Sequence, residues 1–254
     1  MGRAKDIIVK PISSKDANRI IKALHYSGKV TQNSQVHFGV FLDGRCGGAV
    51  SFGPSIDKRR TVAIVEGTLW NEFLELNRLA LADWLPTNGE SRVISVCMRL
   101  LKRAYPHLQW VISFADAAQC GDGTIYRASG FVLTSIKKNT QMLQMPDGSI
   151  VAKKTLDNPN NMGSDGRFGS AIARENGATL LPGFQLRYIY FLDPTARDRL
   201  TVPVIPFSEI EKRGAGMYRG KPRAGSIASD ASAIHAEQGG ATPTSALLTS
   251  EVKL

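Results

Sequence analysis

Residues 113–131 read SFADAAQCGDGTIYRASGF. An apolar run gives way to an acid at Asp116, a glycine-rich turn carries Asp122 between Gly121 and Gly123, and a short helical segment around Tyr126 closes on Gly130-Phe131. Just upstream, LQWVISFAD (108–116) is almost continuously apolar, the pattern of a strand buried on both faces. Polar groups at the exit of such a strand mark a place where the sheet opens to a ligand.

Outward from this stretch, the chain alternates strands and helices. Ile7 to Ile12 reads as a strand, and Ser13 three residues before Asp16 has capping-box spacing ahead of a helix that stops near Gly28, leaving His25 and Tyr26 at its end. VHFGVFLDGRCGGAVSFG is a hairpin turning at Asp43-Gly44. A helix through EGTLWNEFLEL, a strand through LNRLALADW and an amphipathic helix from Ser91 to Pro106 with Val93, Val96, Cys97, Leu100 and Leu101 on one side are expected next. Phe131 to Ile136 reads as a strand, a second hairpin turns at Asp147-Gly148, and GFQLRYIYFLD is a last strong strand. The polar, glycine-rich residues 157–177 read as a mobile loop. Residues 1–223 are expected to form one domain, with 137–185 as an inserted hairpin and loop and 212–223 as a basic extension; 224–254 reads as a disordered tail.

The net charge of +10 over 254 residues favours a partner rich in phosphates, although solubility alone also produces basic chains. No signal peptide and no membrane span are expected. Cys46, Cys97 and Cys120 lack Cys-x-x-Cys spacing, as in a reduced cytoplasmic protein.

This order describes a mixed, mostly antiparallel central sheet with helices on both faces. Strand, glycine turn, helix, buried strand and then Tyr-x-x-x-Gly-Phe is the order of GNAT-type acyltransferases, and the chain resembles them. In such folds the turn before the long helix offers backbone N–H groups to a donor pyrophosphate. Here that turn is LPTNGESR, with one glycine where the usual pattern has two.

A closer resemblance is carried by LHYSGKVTQNSQVHFGVFLDG, FGPSIDKRR, ELNRLAL, VISFADAAQCGDGTIYRASGFVLT and GFQLRYIYFLDP, which are similar to the Mom family of phage DNA-modification proteins, over roughly Ile8 to Arg219. The resemblance implies a GNAT-like enzyme in the host bacterial cytoplasm. It would add a carbamoylmethyl group to the exocyclic N6 amine of adenine in double-stranded DNA and so shield phage DNA from restriction. It also implies iron (Fe2+ or Fe3+) held by His25, Tyr26 and Asp116, and a donor that is an acyl-CoA such as acetyl-CoA, or a glycine-derived ester such as an aminoacyl-tRNA. A homodimer is compatible with this reading.

Each residue also has a plainer role. Asp116 is a metal ligand or general base, or else a cap of the following turn. His25 is a ligand, or a cation at a helix end. Tyr126 is the proton donor to a leaving thiolate, or a packed aromatic. Arg78, Gly89, Ser91 and Arg92 are the expected donor-binding residues, Ser91 as an N-cap that also meets phosphate. His37, Asp122 and Ser129 are secondary candidates. For DNA, the basic clusters are Lys58-Arg59-Arg60, Lys137-Lys138 with Lys153-Lys154, and Lys212 to Arg223. An ordinary N-acetyltransferase and a non-catalytic DNA-binding protein are the competing functions.

Overall fold

The computed structural model describes residues 2–161, 166–218 and 220–223; Arg219, residues 162–165 of the expected loop and the expected tail at 224–254 lie outside the described residues. In chain order the strands are β1 (Ile8–Pro11), β2 (Val36–Leu42), β3 (Arg45–Gly53), β4 (Phe73–Leu81), β5 (Trp110–Ala117), β6 (Val132–Lys138), β7 (Met142–Gln144), β8 (Ile150–Ala152), β9 (Thr179–Leu180), β10 (Phe184–Phe191), β11 (Met217–Tyr218) and β12 (Lys221–Pro222). The helices are α1 (Ser14–Leu24), α2 (Lys58–Val62), α3 (Gly89–Ala104), α4 (Thr124–Ala128), α5 (Lys153–Leu156), α6 (Gly169–Glu175) and α7 (Ser208–Lys212).

Seven strands form the central sheet in the order β1-β2-β3-β4-β5-β10-β6. Every pair is antiparallel except β4 with β5. Alternation along the strands sends side chains to two faces. Val50 and Val111 pack with Val93, Ile94, Cys97, Met98 and Leu101 of α3, whereas their neighbours Ala49 and Trp110 lie on the other face. There α1 packs Ala17 and Ile21 on Ala49 and Ala80, and Phe73, Trp110, Ile112 and Ile189 continue the layer. The mixed sheet covered on both faces is therefore as expected. The apolar stripe of α3 is centred on residues 93, 94, 97, 98 and 101, so Val96 and Leu100 sit at its margin. Among the described residues no helix is long and apolar enough to cross a membrane.

Local chemistry sets the boundaries. The Ser13 hydroxyl accepts the Asp16 N–H at 3.1 Å and donates to the Asp16 carboxylate at 2.7 Å, starting α1. Asp43 and Gly44, at φ 51° and 76°, make the tight primed turn between β2 and β3. The second hairpin, β7–β8, turns at Asp147-Gly148 as expected, and β9 adds to it as a small separate sheet.

Two expectations are corrected. EGTLWNEFLEL is not helical: turns at Glu66-Gly67 and Trp70-Asn71 lead to β4, which begins at Phe73. The periodic Leu69, Trp70, Phe73 and Leu74 mimic a helix face, but Phe73 stacks on Trp110 with ring centroids 4.5 Å apart and planes 6° from parallel, so pairing with β5 overrides local preference. Within the expected loop, Gly169–Glu175 is helical (α6) and packs Ala173 into the interior.

The Phe73–Trp110 stack lies at the closed end of the β4–β5 pairing. Phe73→Ala should lower unfolding stability by about 3–5 kcal/mol, read as a lower urea midpoint; a loss near zero would show that the seam is held elsewhere.

Candidate active site

Three residue pairs, Phe73↔Trp110, Leu74↔Val111 and Glu75↔Ile112, join β4 to β5. Beyond them β4 stays with β3 as far as Leu81 and β5 stays with β10 to Ala117, so the two strands part. The β3–β4 register slips at Asn77, a bulge that re-aims Arg78. The gap is a cavity of about 370 Å³, walled by Leu76 to Leu81 on one side, Phe114 to Asp116 on the other, and the 120–126 turn. It falls in the volume range of small-ligand sites.

Tyr126 enters this cavity from α4, which starts at Gly123 (φ 83°), where an added Cβ would meet the Tyr188 ring at 2.5 Å. The Tyr126 ring packs on Phe131 and Tyr188, and burial pushes its phenol up to about 12. The Ser113 hydroxyl is near enough to oppose that shift, yet it lacks a hydrogen bond of normal geometry, so burial is the dominant cause.

Asp116 leaves β5 with both carboxylate oxygens engaged. Oδ1 accepts the Ala118 N–H and the Gln185 amide, each at 3.0 Å, and Oδ2 accepts the Gln119 amide at 2.7 Å and the Tyr26 hydroxyl at 3.4 Å. It therefore caps the following turn and faces the cavity at once.

His25 is the C-cap of α1, and its ring lies 4.4 Å from that of Tyr26. Burial, then the Arg78 charge, lowers the imidazole to about 4, so it is neutral near pH 7. Its Nδ1 lies 2.8 Å from the Ser27 hydroxyl. Tyr26 is pushed up by burial and then by the Asp116 carboxylate. Arg78 donates to the carbonyls of Lys29 and Asn77 at 2.9 and 2.7 Å, which fixes its charge on the cavity wall.

Thus His25, Tyr26, Arg78, Asp116 and Tyr126 share one cavity, drawn from segments as far as 100 residues apart. Gly89, Ser91 and Arg92 do not line it; Glu90 does. Ser91 is not the N-cap: Asn88 is, at φ 66°, and the Ser91 hydroxyl donates to its carbonyl at 3.2 Å. Arg92 Nε is buried without a hydrogen-bond partner. The secondary candidate His37 pairs with Ser51 at 2.8 Å away from this cavity, and Ser129 ties α4 to α3 through the carbonyls of Ile125 and Ser91. Arg59, Arg60, Lys137, Lys138 and Lys154 are exposed, while Lys58 lies 4.8 Å over the Trp70 ring.

Asp122, a secondary candidate in the sequence, is a structural anchor whose partners lie far along the chain. This buried carboxylate takes Thr124 at 2.9 Å, Arg127 at 3.4 Å, Arg223 at 3.2 Å and the Met217 N–H at 3.3 Å. It fastens the β11–β12 hairpin, part of the expected basic extension, so that Met217 and Tyr218 complete the cavity wall.

Because the native state holds Tyr126 protonated above the ordinary phenol value near 10, it binds more protons than the unfolded chain between pH 10 and 12. Stability should therefore fall as pH rises through that window, by roughly 2 kcal/mol from this group. Tyr126→Phe should remove that share of the alkaline loss in urea titrations; an identical pH profile would show that the phenol is solvated.

The resemblance read from the sequence is confirmed by comparison with known proteins. The chain is 33% identical over 198 residues to the methylcarbamoylase Mom of Escherichia phage Mu, covering 78% of this chain and 80% of that protein. Similar solved structures include the ribosomal-protein-S18-alanine N-acetyltransferase of Escherichia coli, with a TM-score of 0.40, 10% identity, and 74% of this chain and 94% of that one covered. A GNAT family acetyltransferase from Elizabethkingia anophelis with acetyl-CoA bound has a TM-score of 0.39 and 12% identity, with 73% and 98% covered. Membership supports a role in phage DNA modification: with the Mom protein family matching residues 6–209 and this identity to the phage Mu protein, the chain belongs to the Mom family.

Proposed function

We propose that this chain transfers a carbamoylmethyl group to the exocyclic N6 amine of adenine in double-stranded DNA inside the phage's host cell, protecting phage DNA from restriction. The observation that carries this reading is the convergence of His25, Tyr26, Asp116 and Tyr126 on one cavity of a Mom-family chain.

The donor, an acyl-CoA or a glycine-derived ester, enters the gap between β4 and β5. Past Glu75 and Ile112 the two strands no longer pair with each other, so main-chain groups on the facing edges are available to it. Arg78, fixed by two carbonyls, sets a positive charge beside an anionic donor. Tyr126, kept protonated by burial, holds a proton at its hydroxyl for the departing group. Asp116 keeps the Tyr26 hydroxyl in place. An adenine amine is a poor nucleophile because its lone pair is delocalised into the ring, and acyl transfer from acetyl-CoA gives an N-acetyl product, so the reaction needs chemistry beyond these groups.

Iron fits this wall by donor chemistry. Among the described residues no three His, Cys, Asp or Glu side chains gather at ligand distance, so Tyr26 would be a required third ligand. Imidazole, carboxylate and the Tyr26 oxygen, which would have to give up the proton that burial and Asp116 hold on it, would form a nitrogen–oxygen set that iron accepts. His25 is neutral, as a ligating imidazole must be, and its Nδ1, which accepts the Ser27 N–H at 3.2 Å and lies 2.8 Å from the Ser27 hydroxyl, holds the ring in place on the cavity wall. When bound, iron would supply the redox or Lewis-acid step that simple acyl transfer lacks.

The test is mass spectrometry of nucleosides from plasmid DNA co-expressed with wild type, Asp116→Ala, Tyr126→Phe or Tyr26→Phe. A carbamoylmethyl-deoxyadenosine should appear with wild type, fall about 10²–10⁴-fold with Tyr126→Phe, and vanish with Asp116→Ala. Tyr26→Phe protein should also purify with less iron. Acetylated small amines or proteins beside unmodified DNA would replace this reading with an ordinary N-acetyltransferase.

A further inference from the structure

Strand β5 is buried at Trp110, Val111, Ile112, Ser113, Ala115 and Ala117, yet Phe114 in its middle is 43% exposed. A large aromatic open to water on a central strand is unusual, since neighbouring elements normally cover it. Phe114 lines the cavity and sits two residues before Asp116, so both point to one face of the sheet.

The rows beside it are polar and basic. Arg187 of β10 pairs in register with Phe114, and Gln185 pairs with Asp116. One strand further, Ser135 pairs with Arg187 and Lys137 with Gln185. Partners in an antiparallel ladder share a face, so Phe114, Asp116, Arg187, Gln185 and Lys137 form one surface, with Lys137 about 10 Å from the β5 row. Arg187 donates to the Thr134 hydroxyl and carbonyl at 2.9 and 3.2 Å, and among the described residues no carboxylate pairs with it. A half-buried guanidinium held in place without a counter-anion is positioned to receive one.

We propose that this surface is the acceptor platform: Phe114 stacks on the nucleobase taken out of the DNA helix, and Arg187 and Lys137 hold its flanking phosphates. The proposal rests on the DNA-modification reading and adds to it where the acceptor binds. A chain of net charge +10 supplies the long-range attraction, and the exposed ring supplies a stacking face that a peptide or small amine does not require. A base stacked on Phe114 lies beside Asp116 and the cavity, where the donor's reactive end must be. Enzymes acting on a base in a duplex must extrude it, and an aromatic at the exit repays part of the lost stacking.

The test uses the full chain and a labelled duplex carrying one unpaired adenine, against the same duplex fully paired, over a series of salt concentrations. Wild type should bind the unpaired-adenine duplex more tightly. Phe114→Ala should lose about tenfold on that duplex, keep its affinity for the paired one, and keep the salt slope; Phe114→Tyr should restore binding. Arg187→Gln should lower the slope of log affinity against log salt by about one, and Arg187→Lys should recover it, with thermal melting confirming that each variant is folded. Plasmid modification should fall with Phe114→Ala. If Phe114→Ala binds and modifies like an active wild type, or Arg187→Gln leaves the slope unchanged, the platform is wrong while the DNA reading stands. If wild type neither modifies plasmid nor distinguishes the two duplexes, the DNA reading itself falls, and the platform with it.

Discussion

The pairing of β4 with β5 stops after three residues, and the site follows from that interruption. Parallel neighbours in the middle of a sheet normally satisfy each other's main chain along their whole length. Here β4 is satisfied on one side by β3, β5 on one side by β10, and their facing edges beyond Glu75 and Ile112 have only the cavity between them. The stack of Phe73 on Trp110 pins the closed end, and the bulge at Asn77 tilts the open end. The Asn77 amide NH2 is buried without a hydrogen bond of normal geometry, although the Glu75 carboxyl lies close. Polar groups left unmatched where a sheet divides are costly to folding.

Desolvation then shifts several of the groups around the gap. Burial lowers His25 and raises Tyr26, Tyr126, Cys120 and Glu75, so each is driven toward its neutral form. Against this neutral background the Asp116 carboxylate, held by four donors, and the Arg78 guanidinium, held by two carbonyls, are the oriented charges. A neutral imidazole and protonated phenols with fixed charges beside them are suited to moving protons rather than to binding by charge alone.

Features written in short-range chemistry were legible in the sequence. Asp43-Gly44 demands its turn, Ser13 with Asp16 favours its helix start, and the apolar run before Asp116 has the pattern of a strand buried on both faces. The 113–131 stretch contained both the cavity floor and Tyr126. What failed depended on partners far away in sequence. Leu69, Trp70, Phe73 and Leu74 carry helical spacing, and only Trp110 of β5 makes Phe73 a strand residue. Ser91 looked like a cap because the true one, Asn88, relies on a left-handed backbone and makes no side-chain bond. Phe114 and Arg187 are ordinary strand residues until β10 inserts beside β5 and places them opposite each other.

The basic residues after Lys212 read as a charged extension because their spacing has no apolar period, but Asp122 gives part of them a different role. Its carboxylate is almost fully removed from water and would be expensive to bury alone. Arg127 of α4 and Arg223 from the hairpin share the compensation, and the Met217 N–H adds a directional bond. The Tyr188 hydroxyl donates to the Asp122 carbonyl, linking this anchor to β10. Main-chain bonds from Asp122 to Met217 and from Gly220 to Cys120, at 3.0 and 2.7 Å, lay the hairpin against the turn. A two-residue ladder has little stability by itself. The wall formed by Met217 and Tyr218 therefore depends on the same turn that leads into Tyr126, and whatever orders that turn orders both the floor of the cavity and its side.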